Sequence, residues 1–387
     1  MGLRKSLRKW AFLSHLWIGI VLSAYFAMLG LTGSFLMFKT DLQPIFEPRL
    51  HHVEVPPDRR KVSLDRIVKT FDTITHCHIY SMTLPEVDGD PLIIGFKPLT
   101  EPGGRDRDWR QCYFNPYTGE VLGDEVVSGK LFRTVRNLHA NLLLQDLGSK
   151  LNGIGDLFLL VLLFSGLWLW FPSPKYFQQQ FKQRTTIRFS SSSGRMNLDI
   201  HNAVGFYSSC MLLMFVLTAT SALWHSQVEA VVFALTGTRS EQMQAAAPPA
   251  VFSYDEIINR VKGSLPGYEP AIITDNMHVL MAPPDHHQFI PSMVSVSINQ
   301  DSGLVERIQN SESLPLGKQI MNWLMPIHFG QWGTGWLYYP IKLLWFLAGF
   351  CPLILAVTGV SMYLNKRSKS LDYKSAQSSG ISVEASV

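Results

Sequence analysis

Four long apolar runs constrain the fold of this chain more than any other feature of its sequence. They cover residues 12–38, 152–171, 203–225 and 337–363. The hydrocarbon core of a bilayer is about 30 Å thick, and a helix needs roughly 20 residues to cross it. Only helices and closed barrels satisfy every backbone hydrogen bond in lipid. The sequence therefore predicts a membrane protein with four transmembrane helices.

The composition agrees with transmembrane helices that carry sizeable aqueous parts. Of the 387 residues, 47% are hydrophobic and 17% are charged. This is too apolar for an ordinary soluble protein and too charged for transmembrane helices alone. The first apolar run is too long for a signal peptide, and no small-residue cleavage pattern follows it. We therefore expect it to be a retained membrane anchor.

Basic residues indicate the orientation of the chain. Lys and Arg are concentrated in residues 1–11, in the loop 172–202 and in the tail 364–387. The positive-inside rule places these three segments in the cytoplasm. The segments 39–151 and 226–336, in which both signs of charge are mixed, then lie outside. This topology accounts for the net charge of +4, so the charge does not argue for a nucleic-acid partner.

The chain repeats itself, and the repeat includes a complete span. At a constant offset of 186 residues, the first and third spans align at His15 and His201, at Gly19 and Gly205, and at Thr32 and Thr218. The outer segments repeat as well: each has a helix-like start, alternating strand-like stretches and a tight hairpin of the form Asn-x-x-[Ser/Thr]-Gly. We therefore predict a tandem parallel repeat of a span, a small α+β module and a second span, with the two modules outside.

Two pairs of histidines occupy equivalent positions in the two halves. His15 and His201 lie near the inner ends of the first and third spans, and His139 and His328 just precede the second and fourth spans at the outer side. Ionisable residues within a span are costly and usually face a partner in the bundle. Histidines on facing helices are a common way to bind haem iron. The pattern predicts two b-type haems, bound by His15 and His201 inside and by His139 and His328 outside.

Other interpretations of these histidines remain open. A single histidine at a membrane interface is often only a polar anchor. Zinc or copper can bind the same side chains, although two ligands at each face are too few for a tetrahedral site. Covalent c-type haem is excluded, because the sequence contains no Cys-x-x-Cys-His motif. His225 lies about 36 Å along the helix from His201, at the opposite face, and is either a spare ligand or part of an external cavity.

Several external residues receive a plainer interpretation. Cys77 and Cys112 share one outer segment and can form a disulfide if the compartment is oxidising. Six other external histidines are interpreted as solvated surface residues; they are His51, His52, His76, His78, His286 and His287. Near the ligands, basic residues such as Arg8 and Arg195 can pair with haem propionates or can simply set the orientation in the membrane.

These motifs carry a family resemblance that covers nearly the whole chain. They are "SHLWIGI" with "GLTGSF", "LHANLLLQDLGSKLNGIGD" with "FSGLWLWFP", "DIHNAVGFY", "IHFGQWGT" with "LAVTGVSMYLNK", and the hairpins "FNPYTGEVLG" and "INQDSGLVER". In them the chain resembles the PepSY-associated transmembrane family. Within that family it is similar to the inner-membrane ferric-siderophore reductases of the FoxB type.

The resemblance implies a bacterial inner-membrane protein with four helices, periplasmic PepSY-like modules and haem-mediated electron transfer to iron outside the membrane. Matched residue by residue, it assigns the haem-ligand role to His15, His139, His201 and His328. The third span departs from the pattern, because Ala219 in "LTATSA" stands where the first span has a glycine. Helix packing is therefore expected to differ between the two halves at this point.

The predicted function is a haem-dependent reductase of ferric chelates, with ferric siderophores as the favoured acceptors. The electron donor, in the cytoplasm or in the membrane, is not identified by the sequence. Two alternatives are kept. One is a quinol-linked cytochrome b that passes electrons to a partner protein, and the other is a non-enzymatic regulator whose PepSY-like modules bind and restrain a partner.

Overall fold

The computed structural model describes residues 2–97, 110–124, 130–189, 192–239, 252–275, 278–283, 293–299, 302–333 and 335–378. The chain divides into two compact units. The membrane unit consists of Met1–Phe35, Asn137–Leu223 and Leu343–Val387, and the sheet unit consists of Leu36–Arg136 and Trp224–Lys342.

Fourteen α-helices are found in the described residues. In chain order they are α1 (Gly2–Val21), α2 (Ser23–Met37), α3 (Lys39–Phe46), α4 (Pro48–His51), α5 (Leu64–Thr75), α6 (Lys130–Asn141), α7 (Gln145–Trp170), α8 (Phe177–Thr185), α9 (Ser193–Leu223), α10 (His225–Thr236), α11 (Tyr254–Val261), α12 (Leu316–His328), α13 (Tyr338–Ala348) and α14 (Cys351–Ser378). Short 3₁₀ turns precede α8, α12 and α13.

Eight β-strands are found in the same residues. They are β1 (His78–Thr83), β2 (Leu92–Lys97), β3 (Arg110–Phe114), β4 (Val121–Asp124), β5 (Glu269–Thr274), β6 (His278–Ala282), β7 (Val294–Ile298) and β8 (Val305–Asn310).

Three helical segments are long and apolar enough to cross a membrane. They are Gln145–Trp170, Ser193–Leu223 and Gly335–Ser368, with mean hydropathies of 1.9, 1.7 and 2.2. The first predicted span is instead divided into α1 and α2, which pass the same test together but are bent by 63°. The described residues therefore contain three candidate spans, or four if the bent pair is one span.

A polar side chain lies at the bend between α1 and α2. The hydroxyl of Ser23 donates to the carbonyl of Ile20, 2.9 Å away. Backbone hydrogen bonds continue on both sides, because Leu22 N donates to Ile18 O and Phe26 N donates to Leu22 O.

Small residues bring α2 close to the break between α13 and α14. A Cβ atom on Gly30 would lie 2.2 Å from the carbonyl oxygen of Gly349, so only glycine fits at this crossing. The hydroxyl of Ser34 donates to the carbonyl of Phe346 over 2.9 Å. Close backbone approach at small residues, reinforced by a hydroxyl, is the usual packing of helices in membranes.

The sheet unit contains one eight-stranded antiparallel sheet, in the order β4-β3-β2-β1-β5-β6-β7-β8. Each half is a meander of four strands preceded by a helix, α5 in the first half and α11 in the second. The halves meet where β1 pairs with β5, with Met82 opposite Ile273. The two outer segments, expected as two modules, therefore share a continuous sheet.

Apolar faces of both halves enter a common core. Ile67 and Phe71 from α5, Ile257 and Val261 from α11, and inward-facing strand residues such as Ile273 are all fully or almost fully buried in it. The alternation of buried and partly buried residues in β7 follows the period of two expected for a strand. The expected tight turns occur at Gly119 and Gly303, both with positive φ.

Candidate functional site

The inner pair of predicted ligands is brought together in the membrane unit. His15 lies on α1 and His201 lies on α9. The centroids of their imidazole rings are 6.2 Å apart, and the ring planes are almost perpendicular at 89°. Both side chains are largely buried from solvent.

Each inner histidine is oriented through its Nδ1 atom by a neighbouring helix. Nδ1 of His15 lies 3.1 Å from the carbonyl oxygen of Leu162 and 3.1 Å from the hydroxyl of Ser165. Because a carbonyl oxygen only accepts, the protonated Nδ1 donates to it. Metal-binding histidines normally use their second nitrogen in this way, and the arrangement leaves Nε2 for a ligand.

His201 is held in an equivalent manner by α14. Its Nδ1 lies 3.0 Å from the hydroxyl of Thr358. That hydroxyl donates to the carbonyl of Ile354, 2.7 Å away, so it accepts the proton of His201. The two inner histidines therefore share one tautomer, with both Nε2 atoms as candidate metal ligands.

A glycine packs against each ring. The hydroxyl residue together with the glycine that follows it is called the seat of the histidine below. A Cβ atom on Gly166 would lie only 2.9 Å from Cε1 of His15, and one on Gly359 would lie 3.4 Å from Cε1 of His201. In each seat the glycine directly follows the hydroxyl residue, as Ser165-Gly166 on α7 and Thr358-Gly359 on α14. Each imidazole is thus fixed by a hydroxyl and packed against the bare backbone of the following residue.

The separation of the inner rings is compatible with one metal ion bound between them. Bonds from metals to imidazole nitrogen are about 2 Å long, so two imidazoles that share a metal have ring centres at most about 6 Å apart. The observed 6.2 Å agrees with this value. The residues present therefore fit haem iron, which His15 and His201 would hold and which would supply one-electron chemistry.

His139 of the outer pair also lies in the membrane unit and is held in the same way. Its Nδ1 is 3.0 Å from the hydroxyl of Thr32 on α2. A Cβ atom on Gly33 would lie 3.0 Å from Cε1 of His139. The dipeptide Thr32-Gly33 therefore repeats the seat formed by Ser165-Gly166 and Thr358-Gly359.

His328 lies in the sheet unit, where it is the last residue of α12. Its ring packs edge-on against Phe329, with centroids 5.6 Å apart. His139 and His328 thus belong to different compact units, and their pairing stays a prediction. In the sequence, the fourth dipeptide of this kind is Thr218-Ala219, in which alanine replaces the glycine.

The [Ser/Thr]-Gly seats were missed by the sequence interpretation, although a signal was present. The sequence repeat drew attention only to Gly19 and Gly205, which it aligns one turn after His15 and His201. A Cβ atom at either position would meet only a leucine methyl, at 3.7 and 3.6 Å. The glycines that contact histidines are instead those in "LTGS", "FSGL" and "VTGV", one in each of three spans.

Several polar side chains within the membrane unit, one of them hydrogen-bonded to His139, were also missed. Asn152 donates to the carbonyl of His139 over 2.8 Å, and the hydroxyl of Tyr25 donates to Asn152 over 2.9 Å. One helical turn farther along α7, Asp156 accepts a hydrogen bond of 3.2 Å from Thr220 on α9. Such polar groups between membrane helices are costly and are usually kept for a function.

The inner basic residues already have protein partners. Arg188 makes two hydrogen bonds of 2.8 Å to the carboxylate of Asp199, which raises the pKa of the Arg188 guanidinium. Arg195 contacts the same carboxylate at 3.2 Å. Arg8 donates to the carbonyl of Leu169 at the end of α7. Arg195 and Arg8 thus contact protein groups, and a role toward propionates stays a prediction.

The external histidines and cysteines differ in part from expectation. His51 is half-buried against Tyr113, and burial together with the charge of Lys39 lowers its pKa. Cys77 and Cys112 are both free thiols, and burial raises the pKa of Cys112 to about 12. His225 begins α10. His286 and His287 lie outside the described residues.

Comparison with known proteins places the chain in a family. No curated protein matches it. The family model described as the PepSY-associated TM region matches residues 12–366, which is nearly the whole chain and includes all four predicted ligands. The resemblance drawn from the motifs is thereby confirmed at the level of the family. The chain belongs to the PepSY-associated transmembrane family and is a multi-pass membrane protein.

Proposed function

We propose that this protein binds two b-type haems and reduces ferric chelates, above all ferric siderophores, at the outer face of the bacterial inner membrane. The observation that carries the proposal is the inner pair of histidines. His15 and His201 come from different spans, share a tautomer and stand 6.2 Å apart between ring centres. Bound haem supplies one-electron chemistry at iron.

The chain's own residues have a positioning role in this proposal. Ser165 and Thr358 fix the ring orientation of His15 and His201, and Thr32 does so for His139. Hydrogen bonds of this kind keep the second imidazole nitrogen directed at the metal and increase its basicity. His328 is the proposed partner of His139 at the outer side.

We also propose the finer architecture expected from the sequence: four spans, cytoplasmic termini and a tandem parallel repeat with periplasmic PepSY-like segments. The equivalent seats of His15 and His201 support the repeat, as do the two four-stranded halves of the sheet. Reporter fusions within residues 98–109 and 240–251 should be active only as periplasmic enzymes. Activity of a cytoplasmic reporter at these positions would reverse the orientation.

The sheet unit is the proposed docking site for the acceptor. It contains buried polar atoms that have no hydrogen-bond partner among the described residues, the amide nitrogen of Gln43 and Nε2 of His51. A buried polar atom without a protein partner commonly binds a ligand, an ion or a water molecule. Ferrous iron is a weaker match for oxygen-rich chelators than ferric iron, so one-electron reduction releases the metal.

Two measurements test the proposal. A pyridine haemochrome spectrum of the purified protein should give two b-type haems per chain, and its absence would favour the regulatory alternative. Dithionite-reduced protein should then reoxidise anaerobically when a ferric siderophore is added, with ferrous iron trapped by a colour-forming chelator. The gallium-loaded siderophore is the matched control, since its shape is similar but it accepts no electron. Equal behaviour of both forms would favour electron transfer to a partner protein.

The pairing of ligands by depth has its own test. His15→Ala and His201→Ala should each remove the same haem signal and leave the other nearly intact. His139→Ala and His328→Ala should both remove the second signal. Loss of the same signal from His15→Ala and His139→Ala would contradict the pairing.

A further inference from the structure

An apolar groove lies in the membrane unit beside the helix that carries His201. It has a volume of about 570 Å³. Its walls are formed by one face of α9 from Ala203 to Met211, by residues 344–351 around the break between α13 and α14, and by four residues at the end of α8 and just after it, namely Thr185, Thr186, Ile187 and Phe189. Two of the walls belong to candidate membrane spans, so the groove is accessible to molecules dissolved in lipid.

The lining of the groove is uncharged and includes the buried hydroxyl of Ser208. No Lys, Arg, Asp, Glu or His side chain is among the described residues that line it. Ser208 is 5% exposed, and its hydroxyl lies beside the thiol of Cys351, a weak hydrogen-bonding group, with no stronger partner among the described residues. A ligand that accepts or donates a hydrogen bond at this buried hydroxyl is therefore favoured.

We propose that this groove binds the ring of an isoprenoid quinol, which is the electron donor of the protein. A quinol ring is neutral, flat and carries one oxygen at each end, and its tail is soluble in lipid. Ser208 offers a hydrogen bond to one ring oxygen, and Thr185 and Thr186, which also line the groove, carry further hydroxyls. A phospholipid headgroup is a poorer match, because no charged side chain lines the groove to pair with its phosphate.

The position of the groove suits a donor to the inner site. Ala203 and Val204 line it and follow His201 by two and three residues on the same helix. Resting on the proposed function, the reaction is the oxidation of one quinol to its quinone by two ferric chelates. Two electrons leave the ring one after the other, two ferric ions become ferrous, and two protons pass to water.

A photoreactive azido-quinone with a ten-carbon tail tests the binding site directly, without a measurement of catalysis. The full chain in nanodiscs is illuminated with the probe, and labelled peptides are located by mass spectrometry. Labels should fall on residues 185–189, 203–211 and 344–351. Unlabelled decylubiquinol should compete, and added phospholipid should not.

Two variants and a matched control make the test specific. Met211→Trp fills the groove and should reduce labelling at least tenfold. Ser208→Ala removes the single buried hydroxyl and should weaken competition by decylubiquinol about tenfold, the value of one or two hydrogen bonds. Leu217→Trp places the same bulk on an exposed position of α9 that does not line the groove, and it should label like the wild type.

Labelling that spreads evenly over the spans, or that phospholipid displaces as well as decylubiquinol, would overturn the quinol site and leave a crevice for acyl chains. So would equal labelling of Met211→Trp and Leu217→Trp. The proposed function fails separately. Labelling of the groove in a protein without a haemochrome spectrum would support quinol binding and contradict the proposed ferric reductase activity. The same conclusion would follow if ferric siderophores did not reoxidise the reduced haems.

Discussion

Asp65 and Asp255 cap each other's helices across the middle of the sheet unit. The carboxylate of Asp255 accepts from the backbone N–H groups of Leu64 and Asp65, at 3.0 and 3.1 Å, at the start of α5. In return, Asp65 accepts from Tyr254 and Asp255 at 2.9 and 3.5 Å, at the start of α11. Each carboxylate satisfies orphan donors of the opposite helix and neutralises part of its dipole.

This pair should make the stability of the sheet unit depend on pH. Burial and the hydrogen bond with Asp65 raise the pKa of Asp255, so its contribution is full in acid and is lost as the pH rises through the raised pKa. Burial acts to raise the pKa of Asp65 as well, but its hydrogen bonds with Asp255 and Tyr254 outweigh burial and lower it. The contribution of Asp65 is therefore lost as the pH falls.

Asp255→Asn should remove the loss of stability on the alkaline side. The unfolding temperature of the variant should vary less between about pH 4 and pH 7 than that of the wild type. Asp65→Asn is the matched comparison and should be the more damaging change at pH 7, because Asp65 is the partner that favours the charged state. Identical pH profiles for the two variants in thermal unfolding would contradict the assignment of the proton to Asp255.

A methyl group at Gly166 should disturb the inner histidine. A Cβ atom there would lie 2.9 Å from Cε1 of His15, which forces the ring or α7 to move. Gly166→Ala should therefore lower haem occupancy at the inner site and shift its low-spin resonance signal. Gly194→Ala is the control, because a Cβ atom at that position meets nothing within 4 Å. An unchanged inner signal in Gly166→Ala would mean that this close contact does not position His15.

The hydroxyl of Thr358 should be needed for haem affinity, while its methyl group should not. Thr358→Val keeps the shape of the side chain but removes the acceptor for Nδ1 of His201. Loss of such a partner typically weakens metal binding by about 10- to 100-fold. Thr358→Ser should restore affinity. Haem titration of the apoprotein measures the effect, and equal affinities for the valine and serine variants would show that the hydroxyl is unimportant.

The ion pair between Lys342 and Asp41 in the sheet unit should stabilise the fold asymmetrically. Lys342 is fully buried, contacts Asp41 and lies 3.3 Å from the hydroxyl of Tyr338, whereas Asp41 is partly exposed. Asp41→Asn leaves a buried ammonium without its counter-ion and should cost about 3 kcal/mol or more. Lys342→Met should cost less, because water can reach the remaining carboxylate.

Thermal unfolding in detergent would measure these costs. The double variant Asp41→Asn with Lys342→Met should be more stable than Asp41→Asn alone, since no unpaired charge stays buried. Additive losses in the double variant would show that the two groups do not interact energetically.

Local and periodic features of this fold could be predicted from the sequence. The apolar runs, the helix-like stretches "SLDRIVKTF" and "SYDEIINRV", and the tight turns at Gly119 and Gly303 all depend on neighbouring residues, which a sequence displays directly. The repeat of His15 at His201 was visible as a constant offset, and the structure brings these two rings together.

Contacts between distant segments were not visible in the same way. Nothing near Asp65 indicates that its partners lie about 190 residues later, and nothing near His15 indicates that Ser165 would orient it. The pairing of β1 with β5 was missed because each half already contains enough strands for a small sheet. The 63° bend after Val21 was also missed, because apolar periodicity does not encode the direction of the helix axis.

The pairing of β1 with β5 also constrains how the protein can be made. Between these strands the chain passes through α7 and α9, which correspond to the second and third spans predicted from the sequence. If both spans cross the bilayer as proposed, one edge of β1 lacks its partner strand during synthesis. It remains unpaired until two further helices have been inserted and the second outer segment has been exported. An unpaired strand edge invites aggregation or chaperone binding during that interval. Biogenesis of this protein should therefore depend on periplasmic chaperones until β5 pairs with β1. A chain truncated after α7 lacks β5 and should be a substrate for proteolysis.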